Sequence, residues 1–230
     1  MNIGIIGAME AEILFLQKTM QLIETIEVAG NTFYLGQLQG HHAVLLQCGI
    51  GKVNAALGTT LLIERFKPDY VINTGSAGGL HQTLAVGDVV ISLEVRHHDV
   101  DLTIWGYEHG QVPKLPSAFI PSQILVHAAE QAAKKMSLRV TQGLIVSGDS
   151  FIHQDVDIVE IRGNFPNAHA VEMEAAAIAQ VCHQFKMPFV IIRAVSDMAG
   201  IDTPALSDLY LAGAARNSAE LIINTLTELG

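Results

Sequence analysis

The chain has 230 residues, of which 50% are hydrophobic and 16% are charged. This composition is typical of a soluble, core-rich protein, and the length fits one large α/β domain over residues 1–230 better than two small domains. The formal net charge of −10 argues against nucleic acid and anionic lipid as partners, because an acidic surface repels phosphate groups.

No targeting or membrane segment is expected. The apolar runs stay below the roughly 20 residues that a bilayer-spanning helix needs, and the start MNIGIIGAME lacks the basic region of a signal peptide. Cys48 and Cys182 lie in apolar segments without metal-ligand spacing, so we interpret them as free thiols. These features predict a cytoplasmic protein that carries no metal or cofactor.

Short apolar runs alternate with amphipathic segments along the chain, which predicts strands alternating with helices. An early pair of strands, Asn31–Leu38 and Ala43–Cys48, has only a turn between its members and is expected to be antiparallel. The other predicted strands are Ile3–Ile6, Tyr70–Asn73, Val89–Ile91, Val95–His98, Leu144–Val146 and Phe189–Val195. The predicted helices are Glu10–Met20, Val53–Glu64, Ser122–Met136, a segment from Val171 to about Met187, and Leu209–Leu226.

This pattern predicts a mixed, mostly parallel, twisted central sheet with helices on both faces. Ligands of such sheets bind beyond the carboxyl ends of the strands. The segments there are rich in glycine, serine and carboxylates, and Lys52 and Arg193 are their only basic residues, which argues against a polyphosphate ligand. The segments are Ala8–Glu12, Gly49–Lys52, Thr74–Gly79, Ser147–Ile152, Glu172–Glu174 and Ser196–Asp197.

The run VEMEAAAIA (Val171–Ala179) places two glutamates in an apolar stretch. Buried carboxylates need a partner or a use. If the run is helical, Glu172 and Glu174 point about 200° apart. We therefore expect one of them to face a ligand and the other to anchor a neighbouring element.

Several of these features also have a purely structural interpretation. Gly49–Lys52 lacks the spacing of a phosphate loop and is expected to be a tight turn. Thr74–Gly79 is as consistent with a structural turn as with amide donors to a sugar, water or anion. His97, Asp99 and Asp101 alternate, but no second cluster supports a metal site.

Each acidic strand end could serve only to stabilise a helix terminus or turn. Taken together, Glu12, Asp197 and the VEMEA glutamates favour cleavage of a glycosidic bond. In that chemistry one carboxyl group protonates the leaving group and another activates water, while anionic surroundings stabilise an oxocarbenium-like sugar.

Six motifs also match a known family in order along nearly the whole chain. They are GIIGAMEAE (Gly4–Glu12), GIGKVNAA (Gly49–Ala56), NTGSAGGL (Asn73–Leu80), GLIVSGDSF (Gly143–Phe151), AVEMEAAAIA (Ala170–Ala179) and RAVSD (Arg193–Asp197). With them the chain resembles the bacterial 5′-methylthioadenosine/S-adenosylhomocysteine nucleosidases of the purine nucleoside phosphorylase/uridine phosphorylase superfamily. The resemblance implies hydrolysis of both nucleosides, and of 5′-deoxyadenosine, to adenine and the 5′-substituted ribose, in methionine salvage and adenosylhomocysteine recycling.

The resemblance also implies roles for matching residues. Glu12 activates the water, and Asp197, oriented by Ser196, protonates adenine at N7. Glu174 holds the ribose hydroxyls, which leaves Glu172 a structural role. Met173 packs on the sugar, Phe151 stacks on adenine, the backbone of Ile152 hydrogen-bonds it, Ser76 and Met9 line the ribose and water region, and Arg193 holds a site carboxylate. A second subunit of a homodimer completes the 5′ pocket with Leu102, Trp105 and Pro113, with Ile50 and Tyr107 nearby.

The chain departs from the family at two places. Ser207 stands before Asp208 where an aromatic residue is common, after an altered Gly200–Leu206 loop, and Trp105 stands where phenylalanine is common. Both leave the preference among 5′ substituents open. The alternatives are a phosphate-dependent nucleoside phosphorylase, a 6-amino-6-deoxyfutalosine-type nucleosidase, and a non-catalytic nucleoside-binding protein.

Overall fold

The computed structural model describes residues 1–199 and 204–230, and for residues 204–209 it describes the backbone without the side chains. Its strands are β1 (Asn2–Gly7), β2 (Gln21–Val28), β3 (Asn31–Leu38), β4 (His41–Gln47), β5 (Tyr70–Asn73), β6 (Ser76–Gly79), β7 (Val89–His97), β8 (Val140–Ser147), β9 (Ala168–Glu172) and β10 (Phe189–Met198). Its helices are α1 (Glu10–Thr19), α2 (Lys52–Phe66), α3 (Gln123–Lys134), α4 (Asp155–Asn164), α5 (Ala175–Phe185) and α6 (Pro204–Leu229).

The strands form one mixed sheet in the order β2-β3-β4-β1-β5-β10-β6-β9-β8-β7. β1 pairs in parallel with β4 and β5, and β10 pairs in parallel with β5 and β6. An antiparallel pairing between β10 and β7 closes the second half of the sheet on itself. The predicted α/β fold with a mixed, mostly parallel sheet is confirmed.

Helices cover both faces of this sheet, as predicted. Side chains of α1, α3 and α6 pack with Ile3, Ile5 and Val190 in one core cluster. Side chains of α2 and α5 pack with Ile6 and Ile191 in another. Central strands such as β10 are apolar over most of their length because parallel strands are buried on both sides.

The VEMEA run is not helical at its start, which corrects the prediction. β9 ends at Glu172, and α5 begins only at Ala175, with Glu174 as its N-cap. The angular separation expected for two helical glutamates therefore does not apply. The two residues differ instead because Glu172 ends a strand and Glu174 begins a helix.

Other elements also differ from the prediction. The edge strand β2 and the helix α4 were not predicted, and both lie largely exposed, so they lack a strong apolar periodicity. The two strands predicted between Val89 and His98 are one strand, β7, with a bulge between Ser92 and Glu94. The glycine-rich segment Thr74–Gly79 contains β6, which pairs with β9 and β10.

The segment between β7 and α3 is long and mostly irregular. Its one short helical turn is a 3-10 turn at Thr103–Trp105. No helix among the described residues has both the length and the apolarity to span a bilayer.

Candidate active site

The strand ends converge on a cavity of about 240 Å³. This is the placement expected for a ligand site in a largely parallel sheet. Most of the predicted site residues line the cavity: Met9, Glu12, Ile50, Ser76, Phe151, Glu172, Met173, Glu174, Ser196 and Asp197.

Glu12 lies in the first turn of α1 and is almost completely buried. Its Oε2 accepts hydrogen bonds from the backbone N–H groups of Ala8 (2.9 Å) and Met9 (3.1 Å). Its Oε1 accepts from the backbone N–H of Ser76 (2.9 Å) and from the Ser76 hydroxyl (3.0 Å). The carboxylate is thus fixed by three backbone donors and one rotatable hydroxyl.

Asp197 lies near the end of β10 rather than in a following turn. The pairing of β10 with β6 shifts between Val195 and Asp197, so Ser196 forms a bulge. Such bulges redirect side chains, often beside active sites. The Ser196 hydroxyl donates a 2.7 Å hydrogen bond to Asp197 Oδ1, which is consistent with the orienting role predicted for Ser196.

Arg193, also on β10, is completely buried behind the cavity. Its Nη2 donates to Glu172 Oε2 and, at 3.2 Å, to Glu174 Oε2, and its Nη1 lies 3.9 Å from Glu12 Oε1. Burial alone would lower the pKa of Arg193, but the three carboxylates raise it. One permanent cation therefore balances three buried acidic side chains.

Close packing around this cluster requires glycine at position 75. A Cβ atom on Gly75 would lie 1.9 Å from Arg193 Nη1 and 2.8 Å from Glu12 Oε1. The backbone φ of +152° is also one that other residues rarely adopt. The glycine-rich composition of this segment thus reflects the approach of Arg193 and Glu12 to the backbone.

Glu174 connects the cluster to helix α2. Its Oε1 accepts a 2.8 Å hydrogen bond from the backbone N–H of Gly51, the N-cap of α2. Burial raises the pKa of Glu174 to about 7, assisted by the neighbouring Glu172 and opposed by Arg193. Its carboxylate is therefore poised to titrate near neutral pH.

Glu172 lines the cavity, but both of its carboxylate oxygens accept hydrogen bonds from protein groups. Its carboxylate accepts from the Ser147 hydroxyl, from Arg193, and from the backbone N–H groups of Glu174 (3.0 Å) and Ala175 (2.9 Å). These bonds join β8, β9, β10 and the start of α5. This arrangement is consistent with the structural role predicted for Glu172.

The remaining predicted residues lie outside the cavity. Ile152 is buried in a separate apolar cluster with Leu80 and Ile158, although its predicted contact was through the backbone. Pro113 is exposed, and Leu102 and Tyr107 are half-buried. Trp105 exposes 72% of its surface. The side chains of Ser207 and Asp208 and part of the Gly200–Leu206 loop lie outside the described residues.

Five residues line the cavity that the sequence did not single out: Ala8, Ala77, Gly78, Val171 and Leu211. The first four lie inside segments already predicted to be strand ends or their neighbours. Leu211 belongs to α6, and nothing in its local sequence distinguishes it from other apolar residues of that helix.

The alternating His97, Asp99 and Asp101 do not converge. His97 Nε2 lies 3.0 Å from Gln180 Oε1, Asp99 bonds Lys52, and Asp101 accepts from Thr103. Within the part of the chain that the structure describes, no three His, Cys, Asp or Glu side chains are grouped to hold a metal ion.

The cavity combines the carboxyl groups of Glu12 and Asp197 with walls of apolar side chains, two further glutamates and two serines. No lysine or arginine is among its described lining residues. Such a site can activate water, protonate a leaving group and stabilise a cationic sugar. It offers a phosphate no direct cationic contact from those residues.

Comparison with known proteins places this geometry in a family. The model of the phosphorylase superfamily matches residues 2–227. A protein of Bacillus thuringiensis (strain Al Hakam), named 5′-methylthioadenosine/S-adenosylhomocysteine nucleosidase, is 53% identical over the full length of both chains.

Two solved structures of proteins with this name are also similar. The Colwellia psychrerythraea 34H protein, in complex with adenine, is 51% identical with a TM-score of 0.97, over 100% of this chain and 96% of that one. The Neisseria meningitidis protein, in complex with methylthio-immucillin-A, is 50% identical with a TM-score of 0.96, over 98% of each chain. The chain therefore belongs to the phosphorylase superfamily and, within it, to the family of 5′-methylthioadenosine/S-adenosylhomocysteine nucleosidases.

Proposed function

We propose that this chain, as a single catalytic domain over residues 1–230, hydrolyses the N-glycosidic bond of 5′-methylthioadenosine and S-adenosylhomocysteine. The products are adenine and the 5′-substituted ribose, and 5′-deoxyadenosine is a further substrate. The observation that carries this proposal is the cavity in which Glu12 and Asp197 meet without a lining cation among the described residues.

Asp197 acts on the leaving group. It gives a proton to N7 of adenine as the bond between N9 and the sugar breaks, so the bonding electron pair leaves with a neutral base. The Ser196 hydroxyl donates a hydrogen bond to Oδ1 of Asp197, which orients the carboxyl group for this transfer. This is general acid catalysis, which depends on the placement of the proton donor.

Glu12 acts on the nucleophile. It takes a proton from water as the water oxygen bonds to the anomeric carbon of the oxocarbenium-like sugar. Three of its four donors are backbone N–H groups, and only the Ser76 hydroxyl can rotate away. Rotation of that hydroxyl frees Oε1 to accept from the attacking water.

The sugar and base are held by the remaining cavity residues. Glu174 accepts hydrogen bonds from the 2′ and 3′ hydroxyls, while Met9 and Met173 pack against the ribose. Phe151, which is half exposed at the cavity, stacks on adenine, and the backbone of Ile152 bonds its edge. Adenine then leaves through the side where Phe151 is exposed.

The 5′ pocket is completed by a second copy of the chain. Support comes from exposed apolar side chains: Val53 and Leu57 on α2, and Ile104 and Trp105 in the loop between β7 and α3. A hydrogen-bonded ion pair of Lys52 with Asp99 holds the start of α2 near the start of that loop. We place Leu102, Trp105 and Pro113 in the partner's 5′ pocket, and Ile50 and Tyr107 near it.

The proposed setting is the cytoplasm, in methionine salvage and adenosylhomocysteine recycling, with no nucleic acid or membrane partner. Buried free thiols at Cys48 and Cys182 and the net charge of −10 are consistent with this setting. A phosphorylase would need cationic donors in the cavity, and a carboxylate at Glu12 would repel its phosphate.

A substrate panel tests the proposal. The purified protein is incubated with methylthioadenosine, adenosylhomocysteine, 5′-deoxyadenosine, inosine and a 6-amino-6-deoxyfutalosine-type nucleoside, and the free bases are quantified. We expect rapid adenine release from the first three. Absence of adenine from methylthioadenosine, with cleavage of another member of the panel, would overturn the substrate assignment.

A further inference from the structure

The first residue of α2 and two loops meet beside the cavity through Lys52, Asp99 and Asp149. Asp99 Oδ1 accepts a 2.6 Å hydrogen bond from Lys52 Nζ, and Asp99 Oδ2 accepts a 3.0 Å bond from the backbone N–H of Asp149. Asp149 Oδ1 in turn accepts a 2.7 Å bond from the backbone N–H of Lys52. Each residue is hydrogen-bonded to the other two, and we call this group the clamp.

The clamp supplies the cap that helix α2 lacks. Its N-cap is Gly51, which has no side chain, and its first turn carries no acidic residue. The free N–H groups of Gly51 and Lys52 are taken instead by Glu174 Oε1 and Asp149 Oδ1. Asp149 therefore helps to hold the start of α2 where Gly51 orients the carboxylate of Glu174.

The clamp also reaches the other side of the cavity. Asp149 lies two residues before Phe151, whose ring lines the cavity but remains half exposed. The bond from the Asp149 N–H to Asp99 thus fixes the chain that carries this ring. Burial would raise the pKa of Asp99, but its hydrogen bonds from Lys52 and Asp149 lower that pKa overall, so Asp99 stays ionised at neutral pH.

We propose that Lys52, Asp99 and Asp149 are positioning residues for the substrate, a role that rests on the proposed function. None of the three lines the cavity, so they act through Glu174 on the ribose side and through Phe151 on the base side. Their effect is to fix the distance between these two contacts before the substrate arrives.

Because the clamp is partly exposed to solvent, a positioning role can be distinguished from a purely structural role. The Lys52 and Asp99 side chains expose 19% and 28% of their surface. Ion pairs with this much solvent contact contribute little to global stability. Breaking the clamp should therefore weaken substrate binding far more than it destabilises the fold.

Asp99→Asn tests this directly. The new amide oxygen still accepts from Lys52, but the amide nitrogen cannot accept from the Asp149 N–H. We expect the KM for methylthioadenosine and the Kd for adenine, measured by calorimetry, each to rise about tenfold, as for the loss of one charge-assisted hydrogen bond. The kcat should change less than KM, and the melting temperature by less than about 2 °C.

Two further variants complete the test. Lys52→Arg retains a cation and should keep KM near that of the wild type, whereas Lys52→Met should resemble Asp99→Asn. The matched control is Glu220→Gln, which breaks a remote surface pair with Arg216 and should change neither KM nor adenine affinity.

The Kd for adenine measures the effect of the clamp on ligand binding without requiring hydrolysis. If the wild type binds adenine but cleaves no methylthioadenosine, the proposed function is wrong. The comparison of adenine Kd values still tests the positioning role of the clamp. An unchanged adenine Kd in Asp99→Asn overturns the proposed positioning role of the clamp. So does a loss of activity that merely follows a loss of folded protein.

Discussion

The carboxyl groups of the cavity differ in their immediate neighbours, and those neighbours set different chemistry. Glu12 is surrounded by backbone donors, Glu174 by one backbone donor and the edge of Arg193, and Asp197 by the hydroxyl of Ser196. These differences agree with the proposed roles of a base, a sugar ligand and an acid among chemically similar side chains.

The raised pKa of Glu174, about 7, predicts an acid limb in the pH profile. Only the ionised carboxylate accepts hydrogen bonds from two ribose hydroxyls, so kcat/KM should fall about tenfold per pH unit below that pKa. Glu174→Gln should lower kcat/KM at neutral pH and flatten the limb. An unchanged limb in Glu174→Gln contradicts the assignment.

The same pKa has a consequence for stability. Because the folded state binds this proton more tightly than the unfolded state, the contribution of Glu174 to the free energy of unfolding declines as pH rises from about 4.5 to about 7. Glu174 should therefore stabilise the folded state less at neutral pH than at pH 4.5.

The role of Asp197 predicts a dependence on the leaving group. Asp197→Asn should slow adenine release from methylthioadenosine by about a thousandfold. A 4-nitrophenyl riboside loses a stable anion and needs no proton, so its cleavage should change by less than about tenfold. Single-turnover rates on both substrates make the comparison, and equal losses would exclude Asp197 as the acid.

At the scale of elements, Arg193 of β10 joins carboxylates from α1, β9 and the start of α5. Arg193→Met leaves three buried carboxylates without a cation and should destabilise the fold by about 3–5 kcal/mol at pH 8. The deficit should shrink at pH 5, because Glu174, whose pKa burial raises to about 7, is then protonated and one of the three charges is lost. Urea unfolding at both pH values measures it.

The control for this variant is Arg96→Met, which removes a half-exposed arginine paired with Glu94 and Glu108. Its effect on unfolding should stay below about 1 kcal/mol at either pH. A deficit in Arg193→Met that is equal at both pH values would show that lost packing, rather than uncompensated charge, dominates.

Elements with a strong apolar period were predictable from the sequence, and weakly patterned ones were not. The central strands β1, β5 and β10 carry continuous apolar runs because they are buried on both faces. β2 and α4 are largely exposed and carry little apolar pattern. The start of VEMEA reads as helix because its apolar run continues without a break from β9 into α5.

The site was predictable to the extent that strand ends meet at one edge of the sheet. That rule, together with the family motifs, predicts that Glu12, Glu174 and Asp197 share one site, and all three line the same cavity. Neither the rule nor the motifs reveal that one guanidinium serves three carboxylates, or that Asp149 caps α2. Both depend on contacts between residues far apart in the chain.

At the scale of the whole molecule, the proposed dimer predicts that a variant that dissociates into monomers also binds methylthioadenosine more weakly. Val53 on α2 exposes 78% of its surface, and Val53→Asp should convert dimers to monomers because a charge cannot be buried unpaired in an apolar interface. The KM for methylthioadenosine should rise in parallel, since the monomer lacks the second half of the 5′ pocket. Sedimentation velocity and initial rates measure both.

Ile23→Asp is the matched control, because Ile23 is a similarly exposed apolar residue on the edge strand β2. It should leave both the sedimentation coefficient and KM unchanged. A monomeric wild type with full activity would contradict the proposed shared pocket.

In the proposed mechanism, water activated by Glu12 attacks the anomeric carbon of the sugar and adenine leaves. The most direct test is adenine release from methylthioadenosine in phosphate-free buffer, by the wild type and by Glu12→Gln. We predict rapid release by the wild type that added phosphate does not accelerate, and a loss of about a thousandfold or more in Glu12→Gln with the fold intact. Release that requires phosphate and yields a sugar 1-phosphate, or near-normal turnover by Glu12→Gln, would contradict this account.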